Sequence, residues 1–119
     1  MPYLPIADAA AVLQVAVTRT ASANSAALDQ GVGYAPDSLG VPVAGVIFVT
    51  ALTGTGTYAF SLQESADGTT GWADIGFPVN ATAIGQIFAK GLTTKRFIRL
   101  VLTTGGTNPS IAYFANAGA

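Results

Sequence analysis

The 119-residue sequence contains neither cysteine nor histidine, and only 9% of its residues are charged. Without cysteine the chain can form no disulfide, no thiolate nucleophile and no cysteine metal site. Without histidine it lacks the commonest general base and metal ligand. These absences argue against an enzyme, and we expect no catalytic residue, no cofactor and no bound metal.

Carboxylates are the remaining route to a metal site or to acid–base catalysis. Glu64, Asp67 and Asp74 lie close together in the sequence. Their spacing does not match a calcium-binding loop of the EF-hand type, and no motif indicates the paired carboxylates of a glycosidase. Aspartate is an ordinary turn residue, so we predict that these acids serve the local structure.

The shortage of charge is itself informative, because roughly a quarter of the residues of a typical soluble domain are charged. Five basic and six acidic residues give a net charge of −1. No basic patch is available to neutralise phosphates, so we expect no nucleic-acid partner. Two explanations of the low charge stay open. Either neighbouring subunits cover much of the surface, or the surface is polar without charge.

Half of the residues are hydrophobic, which raises the question of a membrane span. No charge occurs between Asp37 and Glu64, but the apolar part of this stretch, residues 43–52, is about half of the ~20 residues that a spanning helix needs. The N-terminus lacks the basic region of a secretory signal. We therefore expect no membrane association and no targeting segment.

Residues 57–76, with the sequence TYAFSLQESADGTTGWADIG, predict a β-hairpin. Large apolar residues alternate with small or polar ones over residues 58–64, as in a half-buried strand. Asp67 and Gly68 provide turn chemistry, with a positive φ expected at the glycine. The returning strand begins at residues 72–75.

The rest of the chain repeats this pattern of short strands and turn residues. Turns are expected at the glycine- and threonine-rich residues 53–57 and 105–109. Seven or eight strands and no helix predict an all-β protein, formed as a single domain by residues 1–119, with an antiparallel β-sandwich or a closed barrel as its architecture. Eight strands would permit a sandwich of jelly-roll type. The other predicted strands are residues 12–18, 26–29, 43–52, 84–89, 97–103 and 111–115. The predicted core contains Leu13, Val15, Val17, Ile47, Val49, Phe60, Leu62, Ile98, Leu100 and Ile111.

An extended N-terminal arm is expected over about residues 1–8. Two prolines restrict the backbone there and remove N–H donors, so this segment is not a central strand. The arm packs either on its own domain or on a neighbouring subunit, and we favour the neighbour. Its candidate contact residues are the apolar Tyr3, Leu4 and Ile6.

The connection of residues 31–41 is long, and such loops commonly carry function. Tyr34 on this connection is a further candidate partner contact, with folding back over the core as the alternative. Trp72, Tyr34, Tyr58 and Tyr113 could together form a sugar-stacking platform. Aromatic anchors in the core or in an interface are the competing explanation, and the one we favour.

Three segments resemble the cement (decoration) proteins of tailed-bacteriophage capsids. Residues 7–31, ADAAAVLQVAVTRTASANSAALDQG, follow that family's D-A-x-x-V run, its short Ser/Thr/Asn stretch and its strand ending in L-D-x-G. Residues 60–72, FSLQESADGTTGW, and residues 96–115, RFIRLVLTTGGTNPSIAYFA, resemble its Q-x-S strand end and its R-[FY]-[IL]-R strand before a G-T turn.

The resemblance implies a structural virion protein on the outer surface of the capsid, made in the host cytoplasm. Its partners would be the major capsid protein, whose subunits it bridges, and further copies of itself in a dimer or trimer. A tail or baseplate β-sandwich module and a carbohydrate-binding module are the alternative functions. The low charge and the proline-containing arm agree with each of these binding roles.

Overall fold

The structure, a computed structural model, describes residues 11–30 and 40–118. These residues form an all-β protein in which every strand pairing is antiparallel, so the predicted fold class is confirmed. No helix in the described ranges is long and apolar enough to cross a membrane. The strands are β1 (Val12–Arg19), β2 (Ala23–Asn24), β3 (Leu28–Asp29), β4 (Val41–Ser65), β5 (Ala73–Asn80), β6 (Gly85–Thr93) and β7 (Phe97–Gly118).

Two long strands, β4 with 25 residues and β7 with 22, form the frame of the fold. They pair with each other from Ala44 opposite Gly118 to Ser65 opposite Phe97. The turns predicted within residues 53–57 and 105–109 are therefore wrong. The two tracts pair with each other through their backbones. Both strands therefore continue through register shifts, and the chain does not reverse its direction at either tract.

Both long strands bend at these tracts, and two contacts hold the bends together. A Cβ atom on Gly56 would lie 2.5 Å from Cβ of Pro109, so only glycine permits this approach. The buried Tyr58 hydroxyl accepts a hydrogen bond from the N–H of Ser110 at 2.6 Å. It also lies 2.9 Å from the carbonyl oxygens of Thr53 and Ser110, either of which can accept its proton.

The bends place the two halves of each long strand in opposite sheets. The first half of β4 pairs with β6 and with the last half of β7, whose other neighbour is β1. The second half of β4 pairs with β5 and with the first half of β7, which also pairs with β2 and β3. A Cβ atom on Gly45 would lie 3.2 Å from the Leu62 side chain, so the two halves of β4 face each other. When the two halves of β4 and of β7 are counted as separate strands, the strands follow the order of a jelly roll.

The core lies between the two sheets. Val15 is the one wrong core prediction, since its side chain is 69% exposed. The register between β1 and β7 shifts on both sides of Gln14, and these bulges turn Leu13 and Val17 inward and Val15 outward. Val17 is partly buried against the core. Eight predicted core residues are buried: Leu13, Ile47, Val49, Phe60, Leu62, Ile98, Leu100 and Ile111.

Several predicted boundaries also differ from the structure. No strand was predicted between residues 18 and 26, but β2 pairs with β7 there. The returning strand was predicted at residues 72–75, yet β5 continues through Pro78 to Asn80. Its register with β4 shifts there, and proline is tolerated at such an irregularity in an edge strand. Strand β6 continues beyond Lys90 to Thr93, since the first half of β4 offers partners along its whole length.

Candidate functional site

Seven of the nine charged side chains of the described chain gather at one end of the sandwich, whereas Arg19 and Lys90 lie elsewhere. We call this region the charged end: it comprises the last residues of β3, β4 and β6 and the first residues of β5 and β7. Hydrogen bonds from the Thr93 hydroxyl (2.8 Å) and the Thr94 N–H (3.0 Å) to Glu64 Oε1 join β6 to β4 there. The charged residues at this end are Asp29, Glu64, Asp67, Asp74, Lys95, Arg96 and Arg99.

The loop between β4 and β5 is organised around the carboxylate of Asp67. This carboxylate accepts hydrogen bonds from the Thr70 hydroxyl at 2.6 Å and from the N–H groups of Thr70 and Thr69 at 2.8 and 2.9 Å. The Thr70 hydroxyl is the largest cause that holds the pKa of Asp67 well below its usual range. Gly68 has the expected positive φ, +79°. Asp67 is therefore a turn residue, as the sequence suggested.

The acids of the charged end are thus used in separate contacts. Asp29 and Arg96 form a two-pronged ion pair with distances of 2.7 and 2.8 Å, and both side chains are about half exposed. Within residues 11–30 and 40–118, no group of three or more acidic side chains is placed to hold a metal ion.

A row of four side chains crosses the outer face of the sheet at the charged end. We call Trp72, Arg99, Gln63 and Asp74 the Trp72–Arg99 row. Gln63 lies opposite Asp74 on β5 and opposite Arg99 on β7. Its amide nitrogen donates to Asp74 Oδ1 at 2.9 Å, and its amide oxygen accepts from Arg99 Nε at 2.8 Å. The guanidinium carbon of Arg99 lies 4.3 Å from the centroid of the Trp72 ring.

The row fixes the position of the Arg99 side chain and leaves the two terminal nitrogens of its guanidinium free to bind a ligand. One face of the guanidinium is covered by Trp72 and the Nε–H is bonded to Gln63, while Nη1 and Nη2 make no hydrogen bond to a described residue. Among the described residues, Arg19 Nε is the only side-chain nitrogen or oxygen that is buried and has no hydrogen-bond partner. The terminal nitrogens of Arg99 also have no partner among these residues, so they are not buried and solvent reaches them. A guanidinium presented in this way is a donor pair for a planar anion.

The four predicted partner-contact residues, Tyr3, Leu4, Ile6 and Tyr34, lie outside the described residues and stay predictions. The connection that carries Tyr34 starts and ends at the charged end. Gln30 N–H donates to the carbonyl of Arg96 at 2.9 Å, and the backbone of Gly40 lies beside that of Thr93.

The alternative of a sugar-stacking platform is not supported by the aromatic residues that the structure describes. Tyr58 and Tyr113 are buried, and the Tyr113 ring packs edge-to-face on Phe60 with centroids 4.9 Å apart. The competing explanation, aromatic anchors in the core, is confirmed for these two tyrosines. Trp72 keeps partial exposure with Arg99 over its ring.

Apolar side chains are exposed elsewhere on the surface. Phe77 on β5 is 87% exposed, and Phe48 stacks on Phe114 across the outer face of β4 and β7 with ring centroids 4.7 Å apart. Such contacts outside the core are typical of surfaces that meet another molecule. The other exposed large apolar residues are Val12, Val15, Ile84 and Leu92.

The sequence pointed to Trp72 as a possible stacking residue and to Asp74 as one of three clustered acids, but it did not bring them together with Gln63 and Arg99. Strand alternation places Gln63 and Arg99 on the outer side of their strands, which was the only available signal. Their contact depends on the register between β4 and β7, two strands separated by about thirty residues of chain. No protein-family model matches the sequence, and no curated protein matches it.

Proposed function

We propose that this protein is a structural virion protein: a cement, or decoration, protein that binds the outer surface of a tailed-bacteriophage capsid and bridges subunits of the major capsid protein. The observation that carries the proposal is the character of its surface. Large apolar side chains such as Phe77 and Val15 are exposed, whereas charge is confined largely to one end of the jelly roll. Such a surface favours burial against neighbouring subunits over free solution.

The resemblance to cement proteins supplies the particular class, and its segments fall on elements that build the domain. Residues 60–72 form the end of β4 and the hairpin loop, and residues 96–115 form most of β7. The sequence has no histidine to activate a nucleophile, and the hydroxyls of Ser65 and Tyr58 are used within the turn and the bend. A binding role therefore fits better than a catalytic one.

The physical mechanism is linkage between binding and lattice stability. A protein that binds the assembled lattice, and not the separated subunits, stabilises the lattice by mass action. Repetition over many equivalent sites multiplies that effect, and self-association of the bound copies adds avidity. A folded all-β domain suits this role, because a domain that is already folded loses less conformational entropy on docking than an unfolded segment.

Purified heads that lack the protein provide the test. The protein is added at increasing concentration, the heads are sedimented, and the bound amount and the melting temperature of the heads are measured. We expect saturable binding and heads that resist heat better. Binding to tails but not to heads would instead support the tail or baseplate module, and binding to glycans that Trp72→Ala abolishes would support the carbohydrate-binding module.

A further inference from the structure

We infer that Arg99 is a preformed receptor for a carboxylate, supplied by an aspartate or glutamate side chain of a partner protein. This inference deepens the proposed function and rests on it for the partner being a protein. The anion-binding chemistry of Arg99 rests on the Trp72–Arg99 row alone.

The first argument is that Arg99 is held in place before any partner arrives. The Nε–H is fixed by Gln63 at 2.8 Å, and Gln63 is itself fixed by Asp74 at 2.9 Å. The ring of Trp72 covers one face of the guanidinium at 4.3 Å. An arginine held on two sides loses less side-chain entropy on binding than a free one, and this strengthens whatever contact its terminal nitrogens make.

The second argument concerns the shape of the ligand group. With Nε occupied, the Nη1 and Nη2 nitrogens remain as a pair of parallel donors, which matches the two oxygens of a carboxylate. Arg96 differs in this respect, because Asp29 already bonds to its Nε and Nη2. Arg99 is thus the arginine of the charged end whose donor pair is open.

The third argument concerns the charge of the ligand group. Asp74 and Asp67 belong to the same end of the molecule as Arg99, so the local surface is not strongly basic. A group with a single negative charge is therefore tolerated better than a phosphate with two. A carboxylate has that charge at neutral pH.

The fourth argument favours a protein side chain over an acidic sugar. A sugar ring usually stacks on an exposed aromatic face, and Arg99 already occupies one face of Trp72. Phe97 and Val101 precede and follow Arg99 on the same side of β7, and both are half-buried. Tryptophan and arginine are enriched at protein–protein interfaces, and apolar side chains flank Arg99 along β7.

The test uses the single tryptophan as a reporter, because the protein has only one. The full chain, labelled with nitrogen-15, is titrated with N-acetyl-glutamate α-methylamide, which carries a free side-chain carboxylate. Its glutamine counterpart is the uncharged control, and sodium glucuronate is the acidic sugar. The NMR signals of the Trp72 indole N–H and the Arg99 Nε–H are followed at constant ionic strength.

We expect the glutamate probe to shift both signals at least about threefold more than the glutamine probe, since a charged acceptor strengthens the bond to a guanidinium. Arg99→Gln and Arg99→Lys should both remove the difference between the probes, because lysine keeps the charge but not the donor pair. Lys95→Gln removes the same charge from the same end and should leave the response unchanged. Each variant is first checked for a native spectrum.

Equal shifts with the glutamate and glutamine probes in the wild-type protein would overturn the inference without reference to any variant. A response that survives in Arg99→Gln would also overturn it. Binding of glucuronate at least about tenfold tighter than that of the glutamate probe would assign the site to acidic sugars and overturn the protein partner. The proposed function is tested separately: wild-type protein that does not sediment with heads would contradict it, whatever the result of the NMR titration.

Discussion

The hydroxyl of Tyr58 accepts a hydrogen bond from the backbone N–H of Ser110 at 2.6 Å and thereby joins the bend of β4 to the bend of β7. The two residues belong to strands that each cross from one sheet to the other. This contact therefore stabilises the place where the jelly roll closes on itself. Because Tyr58 is buried, no water can readily replace it.

The first prediction follows from this contact. Tyr58→Phe should lower the free energy of unfolding by about 1–3 kcal/mol, because the N–H of Ser110 is left without its partner. Urea unfolding followed by circular dichroism measures the change. Thr55→Val is the matched control: it removes an exposed hydroxyl that donates to the Thr107 carbonyl at 2.7 Å, and water can replace that bond. Equal losses in the two variants would contradict the role assigned to Tyr58.

The second prediction concerns the core at Phe60. Phe60 is fully buried and packs edge-to-face on Tyr113, so Phe60→Ala should cost about 3–5 kcal/mol. Phe77→Ala removes the same side chain from an 87% exposed position and should change stability by no more than about 0.5 kcal/mol. Both values come from chemical unfolding of the two variants. A stable Phe60→Ala protein would show that this side of β4 does not face the core.

The third prediction separates two effects at the hairpin loop. Gly68 and Gly71 both have positive φ, +79° and +68°, so alanine is strained at each position by roughly 1 kcal/mol. A Cβ atom at Gly68 would also lie 2.9 Å from the ring of Phe97, whereas nothing lies within 4 Å at Gly71. We therefore expect Gly68→Ala to lower the melting temperature more than Gly71→Ala. Equal losses would mean that the ring moves aside freely.

The fourth prediction is a dependence on pH that arises from Asp67. Its pKa in the folded protein lies well below the ordinary value of 3.8, chiefly because the Thr70 hydroxyl and the N–H groups of Thr70 and Thr69 bond to the charged form. Between the folded and unfolded values the unfolded chain binds more protons, so this contribution to stability is complete above the unfolded pKa and is lost as pH falls through the folded one.

Melting curves between pH 2 and about pH 7 test this dependence, because the ordinary pKa lies within that range. Wild-type protein should melt above Asp67→Asn at neutral pH, and the difference should shrink as the pH falls below 4. Thr70→Val is the control: removal of its hydroxyl should bring the pKa of Asp67 closer to the ordinary value, as measured by carboxyl NMR titration. A difference between wild-type and Asp67→Asn that stays constant down to pH 2 would contradict the assignment.

Local patterns in the sequence were sufficient for the fold class and for most of the core. Alternation over residues 58–64 predicted which side of β4 is buried, and the Asp67–Gly68 turn has the expected backbone. These features depend on neighbouring residues only, and strand periodicity and turn chemistry determine them. The same reasoning correctly assigned Asp67 to the turn.

Features that depend on a distant partner were not predictable. Glycine-rich tracts are read as turns when the chain is considered alone, but residues 53–57 and 105–109 pair with each other and become bends in continuous strands. Val15 was misplaced because bulges opposite β7 interrupt the alternation of β1. The contact of Arg99 with Gln63 likewise exists only in the register that the folded sheet adopts.

The last prediction concerns the N-terminal arm, whose residues lie outside the described ones. The described chain begins at Ala11, whose carbonyl accepts a hydrogen bond from the N–H of Ala117 at 2.7 Å, so Ala11 lies beside the end of β7. If the arm docks on a neighbouring subunit, deletion of residues 1–5 should leave the melting temperature of the isolated domain nearly unchanged. The same deletion should weaken binding to heads, or self-association, because Tyr3 and Leu4 are lost.

A second variant tests why the arm contains prolines. Pro2→Gly combined with Pro5→Gly keeps the apolar side chains but makes the free arm more flexible, so more entropy is lost on docking and binding should weaken. Its effect should be smaller than that of the deletion, since the contacts themselves remain. Sedimentation with heads and thermal unfolding of the isolated protein are measured on both variants. A lower melting temperature with unaltered binding to heads would show that the arm covers its own domain and does not dock on a neighbour.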